Sequence, residues 1–134
     1  MPLARQELEF TMRVRAVRGA TTLGADNPEE MAIAVVELIE AVVSSNRLAP
    51  EEIISILFTS TPDLISQFPA TAARARNPEL LANIPLICAA EVSVPGSLPL
   101  TIRVLIHAHT ELTQAEIKHQ YLRGASVLRP DISK

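Results

Sequence analysis

Several kinds of residue are scarce in this sequence of 134 residues, and each scarcity excludes a class of protein. The single cysteine, Cys88, cannot form an intrachain disulfide or a cysteine-based zinc site, which favours a cytoplasmic rather than a secreted protein. Lys and Arg number 12 against 15 Asp and Glu, so nucleic acid, which needs many cationic contacts, is not expected as a partner. The first residues lack the apolar core of a signal peptide, and no apolar run reaches the length of a membrane span, so neither is predicted.

The motifs of cofactor and metal binding are also missing. The glycines are too scattered for a phosphate-binding loop, standing at Gly19, Gly24, Gly96 and Gly124. His107 and His109 share one strand face, but no third ligand is indicated, and zinc and iron sites need three or four. We therefore interpret both histidines as packed or solvated, and Cys88, which has no evident His or Asp partner, as a small buried hydrophobe. The sequence predicts no metal and no cofactor.

The first half of the chain predicts a strand, a helix and a second strand. Residues 12–17 alternate apolar and basic side chains, which is typical of a half-buried strand, ending at Arg18. Asn27, as N-cap, is followed by Pro28 and two glutamates, and an apolar stripe then indicates a helix to about residue 45. After a second short helix start or turn at Ala49-Pro50-Glu51-Glu52, residues 53–60 are β-branched and mostly apolar, as in a strand buried on both faces.

The middle of the chain is broken by prolines. Residues 64–76 carry apolar side chains at helical spacing around Pro69, which predicts two short helical pieces meeting at that proline. Another short turn is predicted at Asn77-Pro78. Residues 84–94 are then predicted as a strand and residues 95–97 as a loop.

The last third predicts a strand, a helix and an edge strand. Residues 101–108 alternate cleanly between two faces, the best strand pattern in the chain. Thr113 and Glu116 match a capping box and Gly124 stands where a helix would end, so residues 114–123 are predicted to be helical. The tail, 125–131, is predicted to add an edge strand. This order of elements predicts an α+β or α/β domain around a sheet of about four or five strands.

We expect one domain at this length. Residues 1–11 show no clear period, and a second methionine, Met12, stands where the first regular pattern begins. We interpret residues 1–11 as an N-terminal extension or a misassigned start, and residues 12–134 as the domain.

Arginines are the distinctive feature. They stand at element ends or among apolar neighbours, at Arg18, Arg74, Arg103 and Arg129. Because arginine stays charged when partly buried and its planar fork matches a carboxylate, convergence of these four would suit a small polycarboxylate ligand. Each one alone is more often a solvated or salt-bridged residue, and the pattern does not show that they meet.

Ordered blocks along the chain resemble a known family. They are Arg-Gly-Ala-Thr-Thr at 18–22, Thr-Pro-Asp-Leu at 61–64, Phe-Pro-Ala at 68–70, Glu91 ahead of Gly-Ser-Leu at 96–98, Ile-Arg-Val at 102–104, Tyr-Leu at 121–122 and Val-Leu-Arg-Pro-Asp at 127–131. Together, from Met12 to about Ser133, they are similar to the monofunctional Bacillus-type (AroH class) chorismate mutases. The resemblance implies an α+β fold with a mixed β-sheet and helices, assembled as a homotrimeric pseudo-α/β barrel with active sites between subunits. It also implies a cytoplasmic isomerase that converts chorismate to prephenate, in the shikimate pathway branch to phenylalanine and tyrosine, without cofactor or metal.

The resemblance assigns roles to individual residues. Arg103 meets the ether oxygen of the breaking bond and a substrate carboxylate, Arg18 contacts the enolpyruvyl side, and Glu91 accepts from the ring hydroxyl. Tyr121 donates to a carboxylate, and the pocket and its mouth are formed by Cys88, Phe68, Ala70, Arg74, Leu128 and Arg129. This fits the chemistry, because a pericyclic rearrangement transfers no proton and needs only a held conformer and a cation at the ether oxygen.

Two departures and one geometric difficulty accompany the resemblance. Thr71 stands where the family often has lysine, and Ile87 where it has threonine, so we expect weaker capture of the dianion rather than lost chemistry. Cys88 and Glu91 are three residues apart, so in a regular strand they face opposite ways. Both line one site only through a bulge, a bend or the strand end.

Two alternatives remain open. One is a non-catalytic trimeric module of the same fold that binds a small carboxylate, and the other is an imine or enamine hydrolase of the RidA-like fold. The mutase needs Glu91, Tyr121 and Arg129 together with Arg103, and all four are present. A binding module predicts saturable affinity without turnover, and a hydrolase requires a water-activating arrangement that the sequence does not indicate.

Overall fold

A computed structural model describes residues 12–129 as a five-stranded mixed β-sheet with helices packed on one face. The strands and helices are β1 (Arg13–Thr22), α1 (Pro28–Ser45), β2 (Ile53–Ser60), α2 (Pro69–Arg76), α3 (Pro78–Leu81), β3 (Leu86–Ala90), β4 (Thr101–Thr110) and β5 (Gln120–Tyr121). Short 3-10 turns lie at Pro50–Glu52, Gln114–Glu116 and Arg123–Leu128. The spatial order is β3-β2-β4-β1-β5, with β4 antiparallel to β1 and β2, while β2–β3 and β1–β5 are parallel. The predicted mixed sheet of four or five strands is confirmed, and the extension assigned to 1–11 lies outside the described residues.

One face of the sheet forms the main core with the helices. The apolar set of β4 predicted from alternation is buried there, namely Ile102, Val104, Ile106 and Ala108. Gly19 of β1 lies on the same face, and a Cβ added to it would stand 2.9 Å from Leu38 Cδ1 of α1. Because that contact is too close for any real Cβ, glycine allows α1 to pack directly on β1.

Helix α1 has the bounds that its sequence predicts. The side chain of Asn27 accepts the Glu30 N–H at 2.9 Å, so the predicted N-cap is confirmed. Asn46 ends the helix, and its buried side-chain amide exchanges hydrogen bonds of 2.8 and 3.0 Å with the backbone N–H and C=O of Lys118. The end of α1 is thereby tied to the segment that leads into β5.

The opposite face, which we call the open face, carries the alternate side chains of the strands. Strand pairing places Arg18 beside Leu105, and sets Arg103 between Ala20 of β1 and Thr59 of β2. Within residues 12–129, only a small second cluster covers part of this face, made by Ala20, Tyr121, Ala125 and Leu128. Apart from that corner the open face has no packing layer in the described chain.

Two predictions near the C-terminus are wrong. The capping box of Thr113 and Glu116 does form, but it begins only the 3-10 turn Gln114–Glu116 and not a helix over 114–123. Tertiary contacts outweigh the local signal, because the Asn46 side chain hydrogen-bonds to the backbone of Lys118, and Gln120–Tyr121 pair with β1. The edge strand is therefore Gln120–Tyr121, and the tail predicted as a strand forms the 3-10 turn Arg123–Leu128. Gly124 caps no helix and instead donates its N–H to Thr22 Oγ1 at 3.1 Å.

Three other boundaries differ from the prediction. Strand β1 continues past Arg18 to Thr22, because β4 pairs with it along its whole length. Pro69 starts α2 and does not join two helical pieces, since the N–H groups of Ile65 and Ser66 bind the Asp26 carboxylate instead. Strand β3 covers only Leu86–Ala90 of the predicted 84–94, because its partner β2 ends at Ser60. No helix in residues 12–129 is both long and apolar enough to cross a membrane.

Candidate active site

An ion pair on the open face forms the centre of the candidate site. Nε of Arg103 lies 3.1 Å from Oε1 and 3.2 Å from Oε2 of Glu91, and Thr59 Oγ1 donates to Glu91 Oε2 at 2.8 Å. The Glu91 side chain is only 12% exposed and that of Arg103 36%. The carboxylate therefore holds the guanidinium in place from one side, with the Thr59 hydroxyl fixing the carboxylate.

The rest of the Arg103 guanidinium is open to a ligand. Nε is the nitrogen that binds Glu91, and in the described part of the chain nothing accepts a hydrogen bond from the two terminal nitrogens. The two terminal nitrogens of Arg103 therefore offer four N–H donors on a permanent cation, next to the nearly buried carboxylate of Glu91. Such a group stabilises negative charge without any change of protonation.

Arg18 and Tyr121 lie on the same face next to Arg103. Arg18 is two residues before Ala20, the strand partner of Arg103. Residues in such a diagonal position are typically about 7–8 Å apart, within reach of long side chains. Tyr121 pairs with Ala20 from β5 and is 7% exposed, yet its buried hydroxyl has no hydrogen-bond partner among residues 12–129. Among these residues the hydroxyl therefore keeps a donor that a further group can accept.

The C-terminal turn closes one side of this group. Leu128 packs against Tyr121 and Ala20, and the half-buried Arg129 follows it directly. His119 accepts the backbone N–H of Arg18 at its Nδ1, at 2.9 Å. Burial, and then the charges of Arg18 and Arg129, lower the pKa of His119 below its ordinary value. This corner of the open face is therefore positively charged.

The other predicted residues lie elsewhere on the chain. Phe68 and Cys88 line a cavity of about 330 Å³ at the β3 edge, between the segment leading into α2 and the strand. Ala70 packs against the main core from α2, and Arg74 is exposed on the same helix. We call Phe68, Ala70, Arg74 and Cys88 the edge group, and Arg18, Glu91, Arg103, Tyr121, Leu128 and Arg129 the open-face group.

The alternation of side chains along β3 separates the two groups. Cys88 pairs with Phe58 on the helix-covered face and packs against the main core. Strand β3 ends at Ala90, and Glu91, whose N–H donates to Ser60 O at 3.0 Å, sends its side chain to Arg103 on the open face. Cys88 and Glu91 therefore lie on different faces, as regular alternation predicts, and none of the three options brings both into one site within the described chain.

Two residues of the site were missed from the sequence. The position of Thr59 in the site follows only from the pairing of β2 with β4, which sets Thr59 opposite Arg103. His119 stands two residues before Tyr121, but nothing local indicates that its ring bonds to the backbone of Arg18. Both contacts depend on strand register, which the sequence pattern did not supply.

His107 and His109 lie on the open face as their spacing predicts, on β4. His107 Nδ1 is 3.5 Å from Ser55 Oγ. Across residues 12–129 no three side chains of His, Cys, Asp or Glu come together as a metal site would require.

Comparison with known proteins shows which family the chain belongs to. The family model for chorismate mutase type I matches residues 14–132. The chain is 39% identical over 124 residues to the chorismate mutase AroH of Bacillus subtilis (strain 168), covering 91% of this chain and 94% of that protein. It is 44% identical over 120 residues to the AroH of Thermus thermophilus, covering 89% and 96%. A solved chorismate mutase from Clostridium thermocellum superposes with a TM-score of 0.79 at 41% identity, covering 84% of this chain and 98% of that one. The chain belongs to the chorismate mutase type I family.

Proposed function

We propose that this chorismate mutase rearranges chorismate to prephenate, without a cofactor, in a cleft between neighbouring subunits of a homotrimer. The observation that carries the proposal is the Arg103 guanidinium, held through Nε by Glu91 while its terminal nitrogens stay open. A small dicarboxylate with a reacting ether oxygen fits this arrangement, since both features seek N–H donors.

The division of the site residues supports a cleft between subunits. The open-face and edge groups lie on different faces of one chain, so a ligand that touches both takes them from two subunits. Apolar side chains stay exposed around both groups, with Phe68 69% and Ile87 65% exposed. Since a sheet covered on one face only needs a second layer, packing of subunits through the open face and the β3 edge explains both observations. A closed ring of three copies is the assembly proposed.

The rearrangement requires little chemistry from the protein. The ether C–O bond breaks while a C–C bond forms, and no proton is transferred, so neither a base nor a nucleophile takes part. Partial negative charge gathers on the ether oxygen in the transition state, and a terminal N–H of Arg103 is the donor for it. The remaining task is to hold the chair-like conformer in which the two carbon ends meet.

The other residues hold that conformer. Arg18 and the buried Tyr121 hydroxyl donate to the enolpyruvyl and carboxylate oxygens, and Glu91 accepts from the ring hydroxyl. The pocket wall is built by Phe68, Ala70, Cys88 and Leu128. Arg74 and Arg129 attract the dianion at the mouth. Thr71, exposed on α2, adds no cation there, so weaker capture with intact chemistry is expected.

Neither alternative function is favoured, because the family and the curated relatives are chorismate mutases. The proposal includes a cytoplasmic location, where the unpaired Cys88 stays reduced.

A direct assay tests the proposal. Purified protein with a chelator present is expected to consume chorismate and form prephenate in equal amounts, and native mass spectrometry is expected to show three copies of the chain. A folded protein that binds chorismate without forming prephenate would leave only the binding module. A monomer with full activity would overturn the cleft between subunits.

A further inference from the structure

The ring of His119 continues the pairing of β1 with β5 by one residue. The two strands pair at only two positions, Gly19 with Gln120 and Ala20 with Tyr121. At the next position back along β1, the N–H of Arg18 finds no carbonyl of β5 and donates instead to Nδ1 of His119, at 2.9 Å. The imidazole thus takes the place that a backbone carbonyl of a longer β5 would hold, at the residue whose side chain belongs to the open-face group.

This bond requires a neutral ring. Nδ1 accepts a hydrogen bond only when it carries no proton, so the ring proton lies on Nε2. The ring lies in a groove that is also lined by Arg15, Arg18 and His107. These three residues, together with Arg129 from the C-terminal turn, are the charged and titratable groups that face it. No carboxylate lines that groove within the described residues, so nothing there favours the imidazolium. Burial and the two nearest arginines accordingly keep the pKa of His119 low.

We propose, on the basis of the function proposed above, that neutral His119 is a positioning residue that fixes Arg18 and the start of β5 at the rim of the catalytic cleft. An imidazolium no longer accepts the Arg18 N–H and repels its guanidinium. Activity therefore falls at acid pH as His119 takes a proton. His119 has no part in the chemical step, since the rearrangement moves no proton.

Two matched variants separate the hydrogen bond from the bulk of the ring. His119→Asn places a side-chain oxygen near the position of Nδ1 and does not titrate, whereas His119→Leu fills similar space with no acceptor. At pH 7.5 we expect His119→Asn to retain kcat/KM within about threefold of the wild type, and His119→Leu to lose about tenfold, the upper end of the net contribution of one hydrogen bond. Equal activity of His119→Leu and the wild type would overturn the proposal.

The pH dependence of kcat/KM distinguishes the proposed role of His119 from a purely structural one, which would leave that dependence unchanged when His119 is replaced. Because the pKa of His119 lies below its ordinary value of about 6.5, the wild-type kcat/KM is expected to be flat above pH 7 and to decline below about pH 6.5. In His119→Asn this decline is expected to vanish. Only the loss of kcat/KM that follows protonation of carboxylates is then expected, at lower pH. An identical acid limb in both proteins would contradict the proposal.

Histidine labelling tests the contact without an activity measurement. The chain has 3 histidines, so nitrogen-15 spectra of histidine-labelled wild type and His119→Asn identify the His119 signals by difference. We expect the neutral Nε2–H form at pH 7, and an Arg18 amide shift that follows the titration of His119. If the Arg18 amide ignores that titration, the positioning role fails while the mutase activity stands. If the amide follows it but no prephenate forms, the contact stands and the proposed function fails.

Discussion

Replacing Arg103 by alanine is expected to lower kcat by about 10²–10³-fold, the usual cost of removing a preorganised donor to developing negative charge. The reason lies in the transition state, where the ether oxygen gains charge that the substrate in its ground state does not carry. Chorismate binding is expected to weaken less than kcat falls, since Arg18 and Tyr121 still meet the carboxylates. Steady-state kinetics of prephenate formation measures both quantities.

Two further variants serve as comparisons for Arg103→Ala. Arg103→Lys keeps the charge but loses the planar fork that binds Glu91 and a ligand together, so most of the activity is expected to be lost as well. Arg76→Ala removes an arginine paired with Glu29 at 3.0 Å on the surface of the helices, and such a pair contributes little. Its kcat is expected to match the wild type. Turnover in Arg103→Ala within threefold of the wild type would reject the assigned role.

Replacing Glu91 is expected to have the second largest effect. Glu91→Ala removes the acceptor of the ring hydroxyl and leaves the Arg103 guanidinium without the carboxylate that fixes it. Misplacement of a catalytic group by about 1 Å costs on the order of 10²-fold, so a loss of about 10²-fold in kcat is expected. Glu91→Gln keeps an acceptor oxygen but not the charge and is expected to lose less.

Thr59→Val provides a graded test of the same contact. It keeps the shape of the side chain and removes only the hydrogen bond of 2.8 Å to Glu91, for which a loss of about tenfold or less in kcat is expected. Losses that increase from Thr59→Val to Glu91→Gln to Glu91→Ala support a carboxylate that holds Arg103. The reverse order, with all three proteins showing wild-type melting temperatures, would contradict it.

The parts of the fold that followed from the sequence are those that local signals determine. The cap at Asn27 and the apolar stripe after it define α1 without help from the rest of the chain. The alternation of β4 likewise indicates which side chains are buried. Over residues 114–123 the local signal was as clear but misleading, because the amide of Asn46 and the pairing with β1 hold the segment out of a helix.

The candidate site shows the same limit. The arginines and their chemistry were predicted from residue types and from the family resemblance. Their grouping into an open-face and an edge set depends on strand register and on the alternation of side chains along β3. Thr59 and His119 act through contacts with residues far away in the sequence, which no local pattern records.

Mixing two impaired subunits tests the central claim that each site is shared between neighbours. Arg103→Ala damages the open-face group, and Arg74→Glu, which reverses the charge at the mouth, damages the edge group, so both parent variants are expected to have a low kcat/KM. In a cyclic trimer made from equal amounts of both, about a quarter of the sites receive both intact groups. The co-expressed chains, with hybrid trimers verified by mass, are therefore expected to recover about a quarter of the wild-type kcat/KM, measured at chorismate concentrations well below KM. Hybrid trimers with a kcat/KM no higher than the mean of the two parent variants would show that the two groups serve one site within a single chain.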